Sequence, residues 1–329
     1  MARIFIDGFE NNSMEFWSVA GNNYIASSSG VPGFKGNYCM RIYQNGYALK
    51  TLSTPLASMK MAFKIQKIFS GGYDRDLVRF LDSADNTCLS LIFNNISHKL
   101  EARLGSYNGT LLASGNTVFN SGETRHIEIA YAPLNSGGIL TVRFGGVNEL
   151  TYTGDTTAGL ENITKIIFGT ASSDYGVDMF LDDVVIDNTN WIGNTYIQKG
   201  QVSGAGTTTQ FTPSAGANYQ CIDEIPYSDT DYNSSNTVGH IDTFPITAIT
   251  GAIISVKSVQ LEARIAYEGT PTHIQLGCRS GGVNYFADDF LPILSFRKVS
   301  KILELNPDGN IEWTKSAVNA MEIGYKLTV

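Results

Sequence analysis

Paired carboxyls are the residues here whose chemistry would matter most. Asp182 and Asp183 stand side by side in Phe180-Leu181-Asp182-Asp183-Val184-Val185-Ile186-Asp187. A retaining glycoside hydrolase needs two carboxyls roughly 5–5.5 Å apart, one as nucleophile and one as acid. Alternate positions on one strand present such a pair on one face, as in a Glu-x-Asp-x-Glu run, and this sequence has no such run. Adjacent strand residues point to opposite faces. Asp182 and Asp183 therefore read as structural, with one of them at a sandwich rim bonding backbone or a cation. Asp187, four residues beyond Asp183 on the same apolar strand, reads the same way.

Other reactive constellations are missing from the sequence. His98, His126, His240 and His273 are scattered without metal-ligand spacing. There is no Gly-x-Ser-x-Gly nucleophile elbow, and Gly30-Val31-Pro32-Gly33-Phe34-Lys35-Gly36 lacks phosphate-loop spacing. Cys39, Cys88, Cys221 and Cys278 form no C-x-x-C pair. They read as buried reduced thiols, with a disulfide or zinc site as the alternative. The expectation is a protein that is not an enzyme, with no cofactor and no resident metal. A calcium site would draw on Asp74, Asp76 and Asp174, but none of their loops supplies a full ligand set. Arg75, between Asp74 and Asp76, offers a plain ion pair instead.

Binding is the chemistry the loops do support. A sugar ring stacks on an aromatic face while planar polar groups take its hydroxyls. Tyr73 with Asp74, Tyr107 with Asn108, and Tyr175 with Asp174 are loop aromatics beside such groups, and loops on a rigid scaffold are where binding residues gather. These six residues are the candidate glycan contacts. Local packing of the tyrosines is the competing account.

The elements that must position them are strands. In Met59-Lys60-Met61-Ala62-Phe63-Lys64-Ile65-Gln66 the apolar residues fall at every second position, which predicts one face inward with Lys60 and Lys64 outward. Residues 125–131 and 140–144 repeat the pattern. Gly- and Asn-rich turns such as Ser106-Tyr107-Asn108-Gly109 separate these runs. Many short strands at roughly ten-residue spacing predict a two-sheet sandwich over residues 1–190.

Residues 191–329 have a different texture. A polar segment at 200–216, dense in Gly, Ser and Thr, reads as an extended arm able to order against a neighbouring subunit. A long strand is expected over 253–267, paired with residues 273–279 through the turn at Glu268-Gly269-Thr270-Pro271. Further strand is expected around Tyr285 and over 291–296. Thr314 is positioned to cap a two-turn helix beginning at Lys315, and residues 323–329 alternate as a closing strand. The fold class is thus mainly β, in two domains, with one short helix near the C-terminus.

Charge narrows the partners. Residues 1–190 carry fourteen Lys+Arg against eighteen Asp+Glu, and residues 191–329 carry nine against thirteen. Both halves are acidic, which excludes a basic face for nucleic acid or an anionic membrane surface. No apolar run approaches the roughly 20 residues of a spanning helix. The opening Met-Ala-Arg-Ile-Phe-Ile-Asp lacks the apolar core and cleavage site of a signal peptide, so synthesis and folding in a cytosol are expected.

Two resemblances complete the reading. Residues 1–190, with Asp7-Gly8-Phe9-Glu10, Tyr38-Cys39-Met40-Arg41-Ile42 and the closing Leu181-Asp182-Asp183-Val184-Val185-Ile186, resemble a concanavalin A-like (laminin G-like) jelly roll. The second half is similar to a C-terminal domain common in tailed-bacteriophage virion proteins. Its cues, in order, are Phe211-Thr212-Pro213, Asn218-Tyr219, Asp223-Glu224-Ile225-Pro226, Asp229-Thr230-Asp231-Tyr232 and Gly239-His240-Ile241-Asp242-Thr243-Phe244. Asn306-Pro307-Asp308-Gly309, Trp313-Thr314, Ala317-Val318-Asn319-Ala320 and Gly324 follow. Asn194 stands where that pattern has Asp, and Phe211 where it has Trp. The resemblance implies a virion structural component of tail, baseplate or fibre, forming a homo-oligomer (trimer or higher) with other virion proteins as partners. It would display a jelly roll to host-surface glycan. A capsid decoration or head-fibre protein is the alternative, and a glycan depolymerase a more distant one.

Overall fold

Alternating strands fold as their pattern requires only where a second layer covers the apolar face. The computed structural model describes residues 3–68, 72–160, 162–170, 177–269 and 273–328. It is mainly β and divides into two units, one over residues 2–197 and the other over 198–329.

In the first unit, one layer runs in the order Val147–Gly154, Gly138–Phe144, Thr124–Ala132, Met59–Lys67, Val177–Asp187 and then the start of Tyr38–Leu56. The other contains the end of Tyr38–Leu56 followed by Ile163–Gly169, Arg75–Leu81, Thr87–Phe93, Leu100–Leu104 and Thr110–Ser114. The long strand Tyr38–Leu56 belongs to both. It pairs with Val177–Asp187 through Met40–Gln44 and with Ile163–Gly169 from Tyr47 onward. At the end of the first stretch Gln44 has a left-handed backbone (φ 52°). A Cβ on Gly169, itself at φ 85°, would lie 2.7 Å from the Gly46 carbonyl oxygen, so the crossing is closed by a residue with no side chain.

Inward residues from both layers form one core. Phe63 meets Phe168 edge-on with centroids 5.0 Å apart, and Phe80 meets Tyr131 at 4.9 Å. The result is the β sandwich expected from the sequence.

The outer face of the first layer departs from expectation. Lys64 is on that face, as the alternation requires, yet only 7% exposed. Two segments cover it. Val31 and Phe34 pack on Cys39 and Phe180 from one side. Residues 191–197, assigned by sequence to the second domain, dock onto the first unit from the other. The Trp191 ring lies 3.6 Å from the Arg143 guanidinium, Gly193 N–H donates to Glu128 (2.7 Å), and Ile197 N–H donates to Asp183 (2.6 Å).

The second unit has a four-stranded antiparallel sheet in the order Ile241–Pro245, Glu322–Thr328, His273–Ser280, Val283–Phe290. A separate ladder joins Val259–Ile265 to Arg297–Leu303. Thr314 caps the helix Lys315–Ala320 by accepting from Ala317 N–H, as anticipated.

Three expectations fail here. The strand at 253–267 is confined to Val259–Ile265, because residues 253–258 find no partner beyond a single bridge from Val256 to Trp313. Its partner is Arg297–Leu303, while His273–Ser280 pairs with Val283–Phe290 and Glu322–Thr328. Residues 291–296 are not a strand. The polar segment at 200–216 is extended, but its own unit holds it. Val202 bridges Ile246, Thr209 bridges Asp242, and Thr207 donates N–H and O–H to Glu322. The amides of Gln201, Thr208 and Gln210 also find acceptors within the chain.

Candidate functional site

On the outer face of the second layer, strand register sets charged residues in two rows. Asp76 lies opposite Ile92, and Ile92 opposite Glu101. Arg79 lies opposite Ser90, and Ser90 opposite Arg103. Residues paired across a ladder share a face. A bulge between Asp76 and Val78 lets Leu77 and Val78 both enter the core, which keeps Asp76 and Arg79 together on the outside.

Ion pairs follow from the rows. Arg103 Nη2 lies 2.6 Å from Glu101 Oε2, and Arg79 Nε lies 3.6 Å from Asp76 Oδ2. Asp76 is 5% exposed, and burial pushes its carboxyl up to about 6. Arg103 is the hub. Its Nη2 also lies 4.0 Å from Asp74 Oδ2, and its Nη1 donates to the Gly109 carbonyl (3.3 Å). Asp74 in turn accepts from Asn95 N–H (2.9 Å).

Arg103 thus draws together two loops that the sequence singled out separately. Tyr73 precedes Asp74 and is 53% exposed, while Tyr107 precedes the Asn108-Gly109 turn and is 41% exposed. Asn108 is fixed within its turn by the Ser106 hydroxyl. The Arg75 guanidinium sits 5.9 Å from the Tyr73 ring and donates to the Tyr73 carbonyl, supporting that aromatic from beneath. Asp74 also pairs with Arg103 and Asp76 with Arg79, beside the Arg75 that the sequence offered, whose charge interacts with Asp74. Asp174 and Tyr175 lie outside the described residues. Among the described residues no group of three or more His, Cys, Asp or Glu side chains is placed to hold a metal.

The acid pair Asp182-Asp183 is placed differently from expectation. Register shifts between Asp182 and Val185, and Asp183 takes a left-handed backbone (φ 52°). Leu181 and Val184 point into the core, so the bulge turns both carboxyls to the outer face. They lie within the strand and not at its end, and Asp183 bonds both a cation and a backbone N–H. Both are buried, and Lys64 Nζ sits 2.9 Å from Asp183 Oδ2. Burial, reinforced by the adjacent Asp183 charge, holds the Asp182 carboxyl far above the usual carboxylate range. Its Oδ2 has no hydrogen-bond partner among the described residues. The cluster fastens the docked segment 191–197 through Ile197 N–H and presents nothing to solvent.

The sequence matches no protein-family model and no curated protein. Solved structures with a similar arrangement include the endo-β-1,4-glucuronan lyase of the fungus Trichoderma reesei, at 11% identity and TM-score 0.42, covering 57% of this chain and 96% of that one. Domain 4 of AbnA, a GH43 extracellular arabinanase from Geobacillus stearothermophilus in complex with arabinotriose, matches at 13% identity and TM-score 0.41, covering 57% and 93%. The receptor-binding domain of botulinum neurotoxin C/D mosaic serotype matches at 11% identity and TM-score 0.43, covering 74% and 70%.

The residue that sequence reasoning missed is Arg103. It lies inside an alternating run, Lys99-Leu100-Glu101-Ala102-Arg103-Leu104, whose outward polar positions look like ordinary solvated side chains. Glu101 and Arg103 sharing a face was legible from their spacing. The meeting with Asp74 was not, because it depends on three strands being adjacent.

Proposed function

We propose that the sandwich unit binds cell-surface carbohydrate at the loops gathered by Arg103, and that the chain carries this unit as a structural component of a tailed-phage particle. The observation behind the binding site is the junction of the Tyr73-Asp74 loop and the Tyr107-Asn108-Gly109 turn through one guanidinium. Two exposed tyrosine rings beside carboxylate and amide groups offer both the stacking faces and the planar polar groups a sugar requires. The particle setting rests on the ordered resemblance of the second half, and it includes a cyclic homo-oligomer and contacts with other virion proteins.

Binding is favoured over hydrolysis by the state of the acids. Asp76 has the raised proton affinity of a general acid, but it is buried behind Arg79. Glu101 and Asp74 each face a guanidinium. A polymer in solution meets the tyrosines first.

The test is a glycan array probed with the full chain and with the Tyr73→Ala/Tyr107→Ala double variant. Binding to a defined glycan class by the wild type, lost in the variant, is expected. A wild-type chain that binds no glycan and no host cell removes the adhesive role. Mass spectrometry of purified particles checks the setting separately, and absence of the chain from them removes the virion role.

A further inference from the structure

The second unit contains a cavity of about 920 Å³, lined from both its four-stranded sheet and the Val259–Ile265/Arg297–Leu303 ladder. Leu261, Ile265 and Leu276 give it an apolar floor. Aromatic rings wall it, with Phe211 against Tyr325 (centroids 4.8 Å) and Tyr232 against Phe296 (6.2 Å). Such size and lining suit a small molecule with an apolar body.

The charged groups around it decide what that molecule carries. Glu262 is satisfied, with Lys298 Nζ at 2.8 Å and the Tyr227 hydroxyl donating at 2.9 Å. Arg264 is likewise held by both oxygens of Asp229, at 2.8 and 2.7 Å. Glu224 and Asp231 differ. Both line the cavity, and burial and the Asp231 charge raise the proton affinity of Glu224. Neither has a cationic partner among the described residues, and Asp231 Oδ1 is buried with no hydrogen-bond partner. Two carboxyls without a cation beside an aromatic wall favour a positive guest. An ammonium group donates to both acids and is attracted to ring faces. A carboxylate or phosphate would meet charge of its own sign.

We propose that this cavity is a binding site for an organic ammonium ion on an apolar stem, the stem lying on the Leu261, Ile265 and Leu276 floor and the ammonium between Glu224 and Asp231. A free alkylamine and a lysine side chain from a partner chain share this chemistry. The inference is independent of carbohydrate binding by the first unit.

Calorimetric titration of the full chain at pH 7 with hexylammonium, hexanol and hexanoate tests it, and an acetylated peptide with one lysine forms a fourth arm. Hexylammonium is expected to bind at least ~10-fold more tightly than hexanol, the margin of a charge-assisted hydrogen bond, with hexanoate weakest. The Glu224→Gln/Asp231→Asn variant should lose that ~10-fold preference while keeping its affinity for hexanol. Equal binding of hexanol and hexylammonium by the wild type overturns the proposal, whatever the variant does. So does a preference for the cation that survives in the folded double variant. Tighter binding of the peptide than of hexylammonium assigns the natural guest to a partner's lysine, and weaker binding assigns it to a free amine.

Discussion

Asn218 donates from its side-chain amide to Asp242 Oδ2 across 2.7 Å, at the centre of the second unit. The other Asp242 oxygen accepts from the backbone N–H groups of Gln210 and Phe211, and the Tyr325 hydroxyl lies 3.4 Å from Oδ2. One fully buried carboxylate therefore ties the extended segment, the Asn218–Cys221 turn and the closing strand together. Both residues fall in the ordered motif of the second half, which gives that motif a structural reason.

Replacing Asp242 with Ala leaves the Gln210 and Phe211 amides and one N–H of the Asn218 side chain without an acceptor. Each such group costs about 1–3 kcal/mol, so a loss of about 3 kcal/mol or more is expected in the second unit. Hydrogen exchange at the Gln210 and Phe211 amides is the direct readout. Unchanged protection there would show that the carboxylate is not what holds the segment.

The buried Asp182 carboxyl predicts a pH dependence with a definite sign. Its proton affinity is higher folded than unfolded, so above the ordinary carboxylate range the native state holds a proton that the unfolded chain has released. Stability must then fall as pH rises. Asp182→Asn keeps the shape of the protonated acid and removes that titration. Chemical denaturation of the wild type at pH 5 and pH 8 should show a decline that the variant lacks in part. A decline of identical size in both proteins would contradict this origin.

Asp183 matters through its ion pair with Lys64. Asp183→Ala leaves Lys64 buried without its counter-charge, a change that costs about 3–5 kcal/mol. It also releases the Ile197 amide. The variant should unfold earlier, with faster exchange at Ile197. The double variant Lys64→Met/Asp183→Ala should recover much of the loss, because it strands no charge, and failure to recover would point to the left-handed backbone at Asp183 as the cause.

Every cysteine is free and buried. Burial raises the thiol of Cys39 to about 12 and those of Cys88 and Cys278 to about 11, which leaves little thiolate to react. The native protein should show almost no reaction with a thiol reagent at pH 8, and all four cysteines should titrate after unfolding. A fast-reacting thiol in the native state would refute the burial.

In the proposed carbohydrate site, Tyr73→Ala and Tyr107→Ala should each weaken glycan binding by about 1 kcal/mol while leaving thermal unfolding unchanged, since both side chains are exposed. Arg103→Ala should weaken binding and also loosen the Asp74 loop, seen as faster exchange at the Asn95 amide. Full glycan affinity in all three variants would move the binding surface elsewhere.

The sequence by itself determined most strands of the sandwich, though not Ser18–Ser27 or Thr110–Ser114, together with the capped helix at Thr314 and the burial of the cysteines. These follow from local rules, since period-two alternation names the buried face and a cap needs only its own first turn. Tertiary structure decided what depends on distant neighbours. The bulge at Asp183 turned two acids to one face, and the same strand gained a cover from residues 191–197. Pairing in the second unit followed which edges met, so residues 253–258 stayed outside the strand Val259–Ile265. The meeting of Asp74, Arg103 and Gly109 was decided in the same way, because strand adjacency and register are long-range choices that no local pattern of residues records.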